Sequence, residues 1–119
     1  MSAATWVAVG AVGGAGSVAR VYGTLLLGRG VPWRGTLAVN LIGAFLLGVL
    51  AGCDVRSTTY LIAGTGLLGA FTTFSTWMHE CLALWQGGRR SAAAALLLGA
   101  LVAGLVAAAA GRAAGVALS

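Results

Sequence analysis

The residues Gly64–Glu80, GTGLLGAFTTFSTWMHE, form the stretch of this chain that is best equipped for chemistry. Its hydroxyl side chains crowd around Phe74 inside a long apolar run, directly after several glycines that loosen a helix. In hydrocarbon an unpaired backbone group is costly, so such a sequence is expected only where it is buried in protein or lines a polar cavity. We interpret the stretch as a broken helix that forms an ion site. Its hydroxyls are those of Thr72, Thr73, Ser75 and Thr76.

Within this stretch, different groups suit ions of opposite charge. If the helix breaks near Gly69 and Thr72, main-chain carbonyls turn inward, and carbonyl oxygens suit hard cations. Phe74 and Trp77 are three residues apart and share a face if they are helical. Their rings either pack in a core or present positive edges to an anion, to which the Trp77 indole N–H could also donate.

Two polar residues in other apolar runs are further candidates. Asn40 shares a helical face with Thr36 and Gly43, where its amide either bonds a neighbouring helix or donates to a passing anion. Arg20 lies about two-thirds along the first run. Its guanidinium either reaches the membrane interface or lines a vestibule that attracts anions.

The remaining titratable groups do not suggest an enzyme. His79 and Glu80 fall near the end of an apolar run, where a water-facing helix end is expected rather than a proton relay. The sequence contains no nucleophile, base and acid in workable order and no phosphate-binding loop. Cys53 and Cys81 have no zinc or redox spacing, so we expect small buried thiols.

Composition identifies the bilayer as the solvent of this chain. Hydrophobic residues make up 60% of it and charged residues only 8%, against roughly a quarter charged in soluble domains. The net charge of +5 comes from arginines scattered among apolar runs, so we expect no nucleic-acid partner. The first run lacks a basic leader and is too long for a signal peptide, which predicts a retained first span.

We predict a single domain over residues 1–119, an all-α membrane protein with four spans. Apolar runs and breakers place the spans at about 5–27, 35–52, 58–85 and 91–110, the third one broken. Pro32 is expected to stop any helix in a tight loop over 28–35, and Gly111 to follow the last span. Small residues recur at packing intervals, and four short helices bury little surface, so we expect an oligomer. The glycine and alanine pairs are Gly10 with Gly14, Gly13 with Gly16, Gly48 with Gly52, and Gly99 with Ala103.

The arginines give only a small topological bias. The face with the first and third loops carries four of them, and the face with the termini carries two, which modestly favours both termini outside. Insertion in both orientations is compatible with so small a difference.

Three motifs resemble the CrcB, or Fluc, family of bacterial fluoride channels. They are GGAGSVARVYG (13–23), GTLAVNLIGAFLLG (35–48) and GLLGAFTTFSTW (66–77), in the order typical of the family. The resemblance implies passive fluoride export across the cytoplasmic membrane, which gives resistance to fluoride toxicity. It also implies an antiparallel, dual-topology dimer with two pores.

The resemblance also assigns roles to residues. Asn40 resembles the pore asparagine, Phe74 the first aromatic-box phenylalanine, and Arg20 the vestibule arginine. Trp77 stands at the second box position, which departs from the family pattern. A polar track is implied for Thr73, Ser75 and Thr76, and a structural sodium ion at the dimer interface for the carbonyls of Gly69 and Thr72.

Two other functions are compatible with four short apolar helices. A small multidrug transporter needs a carboxylate in its first span, and this chain has none there. A subunit that does not conduct ions would not need the polar cluster. Trp77, which departs from the family pattern, nevertheless leaves open that the chain is a non-conducting half of a heterodimeric channel.

Overall fold

The computed structural model describes residues 2–119, and in this range the chain consists of helices and short connections, with no strand. Two helices, α2 and α6, have the length and apolar composition needed to cross a membrane. The predicted all-helical fold and the broken third segment are confirmed. The elements are α1 (Ala3–Gly28), α2 (Pro32–Gly52), α3 (Ser57–Thr59), a π-helical stretch (Tyr60–Leu68), α4 (Gly69–Phe71), α5 (Phe74–Gln86) and α6 (Arg90–Leu118). We call residues 57–86 the third segment.

The first connection is shorter than the sequence predicts. α1 continues to Gly28, and the chain turns at Arg29 and Gly30, whose φ angles of 48° and 83° are left-handed. Pro32 then begins α2 instead of lying in a loop. The prediction that Pro32 excludes a helix was wrong, because proline suits the first helical turn, where its missing N–H would have no partner.

The fourth helix is longer than the sequence predicts. α6 passes through Gly111 and Arg112 and ends at Leu118, so the predicted end near residue 110 was wrong. Gly111 and Gly115 do not break the helix because they lie against the backbone of α2. A Cβ atom there would overlap the carbonyl oxygens of Phe45 and Val49.

α2 and α6 form the most extensive helix pair of the fold. Gly48 and Gly52 face α6 just as Gly111 and Gly115 face α2, which confirms the predicted packing role of the α2 pair. Such close backbone approach is how helices associate in lipid. Gly99, in contrast, has no atom within 4 Å of its Cβ position, so it makes no such contact within this chain.

The third segment changes its helical geometry before it breaks. The π-helical stretch packs against α1, where a Cβ at Gly16 would overlap the Leu67 carbonyl oxygen. A single α-helical turn follows, and then Thr72 (φ −83°, ψ 159°) and Thr73 (φ −145°, ψ 110°) are extended. The sequence predicted the break but not the π-helix.

Few side chains are buried within one subunit. Val39, Leu68, Cys81 and Ala93 form the buried apolar core, whereas many large apolar side chains are exposed. Phe74 is among the most exposed, at 70%. Surfaces of this kind face lipid or another protein chain.

Candidate ion-binding site

The break frees a set of backbone carbonyls. Because Thr72 and Thr73 are extended, no helical hydrogen bond spans them. Within residues 2–119, the carbonyl oxygens of Gly69 and Thr72 accept no hydrogen bond, and neither do the two carbonyls between them. The last carbonyls of a helix always lack an intrahelical partner and need another one. The break therefore leaves the carbonyl oxygens of Gly69 and Thr72 free, and their role as cation ligands stays a prediction.

Asn40 of α2 bonds the break from one side. Its Nδ2 donates to the Thr73 carbonyl oxygen at 3.0 Å, and the Thr73 N–H donates to its Oδ1 at 2.7 Å. The side-chain amide thus pairs with both polar backbone groups of one residue, as a neighbouring β-strand would. An amide nitrogen carries two hydrogens, so one Nδ2–H is not used in this pair. Of the two roles open to Asn40 in the sequence, a bond to another helix is present, and a donor to an anion stays a prediction.

Thr73 also begins the helix that follows the break. Its Oγ1 accepts from the Thr76 backbone N–H at 3.3 Å and donates to the Thr76 Oγ1 at 2.8 Å. This is an N-cap, which satisfies one of the free amides at a helix start. The hydroxyls of Thr73 and Thr76 therefore take part in one local motif that fixes the first residue of α5 as Phe74.

An open groove of about 530 Å³ lies between α2, the third segment and α6. Its wall is mostly apolar, but it brings together most of the sequence-predicted site residues. Ser75 and Thr76 are exposed and do not line it, and Arg20 lies half-buried on α1, also outside it. The predicted residues that line the groove are Asn40, Gly69, Thr72, Thr73, Phe74 and Trp77.

The two aromatic residues at the groove are in contact. The Phe74 and Trp77 rings are 5.7 Å apart between centroids and nearly perpendicular, at 86°. The Trp77 Nε1–H, which the sequence offered as an anion donor, donates to the Leu96 carbonyl oxygen of α6 at 3.4 Å. The indole therefore ties α5 to α6, and only its ring faces the groove.

Glu80 is the polar residue that sequence reasoning misjudged. Both of its carboxyl oxygens are buried and have no hydrogen-bond partner among residues 2–119, whereas His79 is exposed. The nearby Thr36 hydroxyl donates to the Pro32 carbonyl oxygen at 3.3 Å. The expectation of a water-facing pair was thus wrong for Glu80. The available signal was its spacing, because Glu80 lies seven residues after Thr73 and so on the helix face that meets α2.

The fold and the groove define a small helical membrane protein whose candidate ion-binding site lies at a broken helix. The chain belongs to the CrcB family: residues 7–112 match the family described as CrcB-like protein, Camphor Resistance (CrcB).

Curated relatives in this family are named as fluoride channels. A Mycobacterium tuberculosis protein (strain ATCC 25618 / H37Rv), Fluoride-specific ion channel FluC 2, is 42% identical over 119 residues, covering 94% of this chain and 91% of its own. The FluC 2 protein of Mycolicibacterium paratuberculosis is 44% identical over 104 residues and covers 85% of each chain. Fluoride-specific ion channel FluC 1 of Symbiobacterium thermophilum is 44% identical over 101 residues, covering 74% of this chain and 79% of its own.

Proposed function

We propose that the chain is a fluoride-selective ion channel of the cytoplasmic membrane, not an enzyme, and that it lets fluoride leave the cell passively. The observation that carries this is the groove in which Asn40, Phe74 and Trp77 meet at the break, in a chain similar to fluoride-specific channels over nearly its whole length. An inside-negative membrane drives anions outward by about 2.3 kcal/mol per charge per 100 mV. No pump is then required, and resistance to fluoride follows.

The groove offers the kinds of group that a fluoride pore needs. Fluoride is small and holds water tightly, so a selective pore must replace that water with fixed donors. The unused N–H of Asn40 and the positive edge of the Phe74 ring are such groups. Trp77 shapes the groove beside Phe74. Polar-track roles for Thr73, Ser75 and Thr76, and a vestibule role for Arg20, complete the proposal.

A structural sodium ion fits the free carbonyls of the break. The backbone oxygens of Gly69 and Thr72 have no hydrogen-bond partner within the described chain, and hard cations prefer oxygen ligands. When bound, the ion would supply positive charge that stabilises these carbonyl dipoles. Gly69 and Thr72 are the residues that would hold it, with the same carbonyls of a second subunit.

The second subunit is proposed to be another copy of the chain in the opposite orientation. The groove and the exposed Phe74 give the subunit an apolar face with polar groups at its centre, which a partner would complete. The weak arginine bias allows both orientations of a multi-pass chain in one membrane. Because curated relatives carry numbered names, FluC 1 in one organism and FluC 2 in another, a paralogous partner is the alternative to a homodimer.

Ion efflux from liposomes that contain the purified chain alone tests the proposal. We expect rapid fluoride efflux, no chloride efflux, and loss of fluoride efflux in Phe74→Ile and Asn40→Asp. Phe45→Ile is the matched control, because Phe45 lies on α2 outside the groove. Equal chloride and fluoride efflux would refute a selective channel, and the absence of any flux would favour the heterodimer.

The small multidrug transporter is the second candidate, and it is disfavoured by one observation. α1 contains no Asp or Glu, so the first span lacks the carboxylate that couples protons to drug movement in such transporters. Uptake of a cationic drug driven by a proton gradient, without fluoride efflux, would reverse this conclusion.

A further inference from the structure

We propose that Asn40 and Gly43 form a template on α2 that fixes the break of the third segment. Gly43 is a positioning residue that acts through Thr72, and Asn40, besides its proposed role as a donor to the ion, positions Thr73. The inference rests on the proposed function for the identity of the ion, but the template itself follows from the contacts of this chain.

Asn40 holds the half of the break that leads into α5. Its amide donates to and accepts from the backbone of Thr73, a residue with only 6% of its surface exposed. A side-chain amide can satisfy a peptide N–H and C=O together only in a fixed orientation. Phe74 is the next residue, so the direction in which its ring enters the groove depends on this pair.

Gly43 holds the half of the break that ends α4. Thr72 Cγ2 lies against the Cα of Gly43, in the space that a Cβ would occupy, and no other atom approaches that position closer than 3.7 Å. The Thr72 hydroxyl points the other way and donates to the Leu68 carbonyl oxygen at 3.1 Å. The methyl contact therefore sets how closely the break approaches α2.

The template competes with an unbroken helix. In a continuous α-helix the Thr73 N–H would donate to the Gly69 carbonyl oxygen, and that oxygen would no longer be free. Hydrocarbon strongly favours this internal bond, since unpaired backbone groups are costly there. Asn40 offers Thr73 an equivalent pair, and the Gly69 carbonyl stays free only while that pair persists. In the proposed channel, α2 thereby determines both which carbonyl oxygens of the break stay free and where Phe74 lies.

The Gly43 contact is tested by a clash and its rescue. Gly43→Ala should speed hydrogen exchange of the Thr73 amide by about tenfold or more in purified protein and reduce fluoride efflux. Adding Thr72→Ser removes Cγ2 but keeps the hydroxyl and the carbonyl. The Thr73 amide of the double variant should therefore be almost as well protected from exchange as that of Thr72→Ser alone. Gly10→Ala is the matched control, since no atom lies within 4 Å of its Cβ position. If Gly43→Ala fails to fold, recovery of folding by Thr72→Ser supports the template.

The Asn40 bonds are tested by two substitutions of similar size. Asn40→Leu removes both bonds and should accelerate Thr73 amide exchange by about tenfold or more. Asn40→Asp keeps an acceptor for the Thr73 N–H, so its acceleration should be clearly smaller.

Unchanged Thr73 protection in Asn40→Leu, or a Gly43→Ala defect that Thr72→Ser does not relieve, would overturn the template. If the unmodified chain alone passed no fluoride, the proposed homodimeric channel would fail. The exchange measurements would still decide whether the template exists.

Discussion

The Trp77 indole N–H donates to the carbonyl oxygen of Leu96, which joins the helix after the break to the fourth helix. At 3.4 Å this hydrogen bond is longer than the range of about 2.7–3.2 Å that is usual for N–H···O bonds. It nevertheless fixes which edge of the indole faces α6, while the indole ring stays nearly perpendicular to the ring of Phe74. The tryptophan at the second aromatic position is therefore tied to α6 by its nitrogen and available to the groove only through its ring.

Replacing Trp77 by phenylalanine should widen the groove without closing it. Trp77→Phe keeps an aromatic edge beside Phe74 but removes the bond to Leu96, so we expect fluoride efflux at least equal to that of the unmodified chain. The free energy of unfolding should fall by about 0.5–1.5 kcal/mol. Efflux from liposomes and thermal unfolding in detergent measure the two effects. Loss of efflux with unchanged folding would instead place the indole N–H on the ion path.

Removing the cap at Thr73 should destabilise the start of α5. Thr73→Val keeps the shape of the side chain but loses the oxygen that accepts from Thr76, at a cost of about 0.5–2 kcal/mol. Thr73→Ser retains that oxygen and serves as the control. Because Asn40 bonds only the backbone of Thr73, both variants should keep the break. Equal stability of the two variants would show that the cap contributes nothing.

The α2–α6 contact should not tolerate a side chain at Gly111. Gly111→Ala places a methyl group against the Phe45 carbonyl oxygen, and backbone cannot move aside as a flexible side chain does. Overpacking of this kind typically costs about 1–3 kcal/mol, so the melting temperature and the yield of folded protein should fall. Gly99→Ala, at an open position of the same helix, should have little effect. Similar melting temperatures for the two variants would contradict the close approach of the helices.

Sodium should stabilise the folded protein if the carbonyls of the break bind it. We expect a higher melting temperature in sodium chloride than in N-methylglucamine chloride at equal ionic strength, because a ligand that binds only the folded state stabilises it by mass action. The same measurement in lithium chloride and potassium chloride distinguishes a sodium-selective site from general screening of charges by salt. Identical melting temperatures in all these salts would argue against a bound cation.

The dual-topology dimer should be visible in the accessibility of the chain ends. If subunits insert in both orientations, a cysteine added after Ser119 should react with a membrane-impermeant reagent to about half completion in sealed vesicles. Cross-linking should then capture antiparallel pairs. Complete labelling from one side, or parallel pairs only, would refute the arrangement.

The break was predictable because its cause is local. Hydroxyl residues and glycines in an apolar run weaken a helix wherever they occur, so the stretch around Phe74 indicated irregular backbone before any contact was known. Asn40 was identifiable as the polar residue of its helix, but its partner was not. The pairing with Thr73 depends on how α2 and the third segment are positioned relative to each other along their axes. No property of either segment alone determines that position.

The predictions that were wrong concern residues whose effect depends on their neighbours. Pro32 excludes a preceding helical turn and suits a following one, and only the structure shows which applies. Gly111 would weaken an isolated helix, yet here it permits contact with α2. Glu80 was judged by its distance from the end of the segment, whereas its orientation toward α2 buries its carboxyl oxygens.

The π-helical stretch sets how the third segment turns before the break. Between Tyr60 and Leu68 the hydrogen bonds take the wider i→i+5 form, which accommodates more residues per turn than an α-helix. Removing one residue from a uniform α-helix rotates everything that follows by about 100°. Within the π-helical stretch, a return to the narrower α-helical turn could absorb such a deletion, so Thr72 and Thr73 would turn away from α2 far less. During evolution, single-residue deletions should therefore be accepted more readily in this stretch than in α2 or α5.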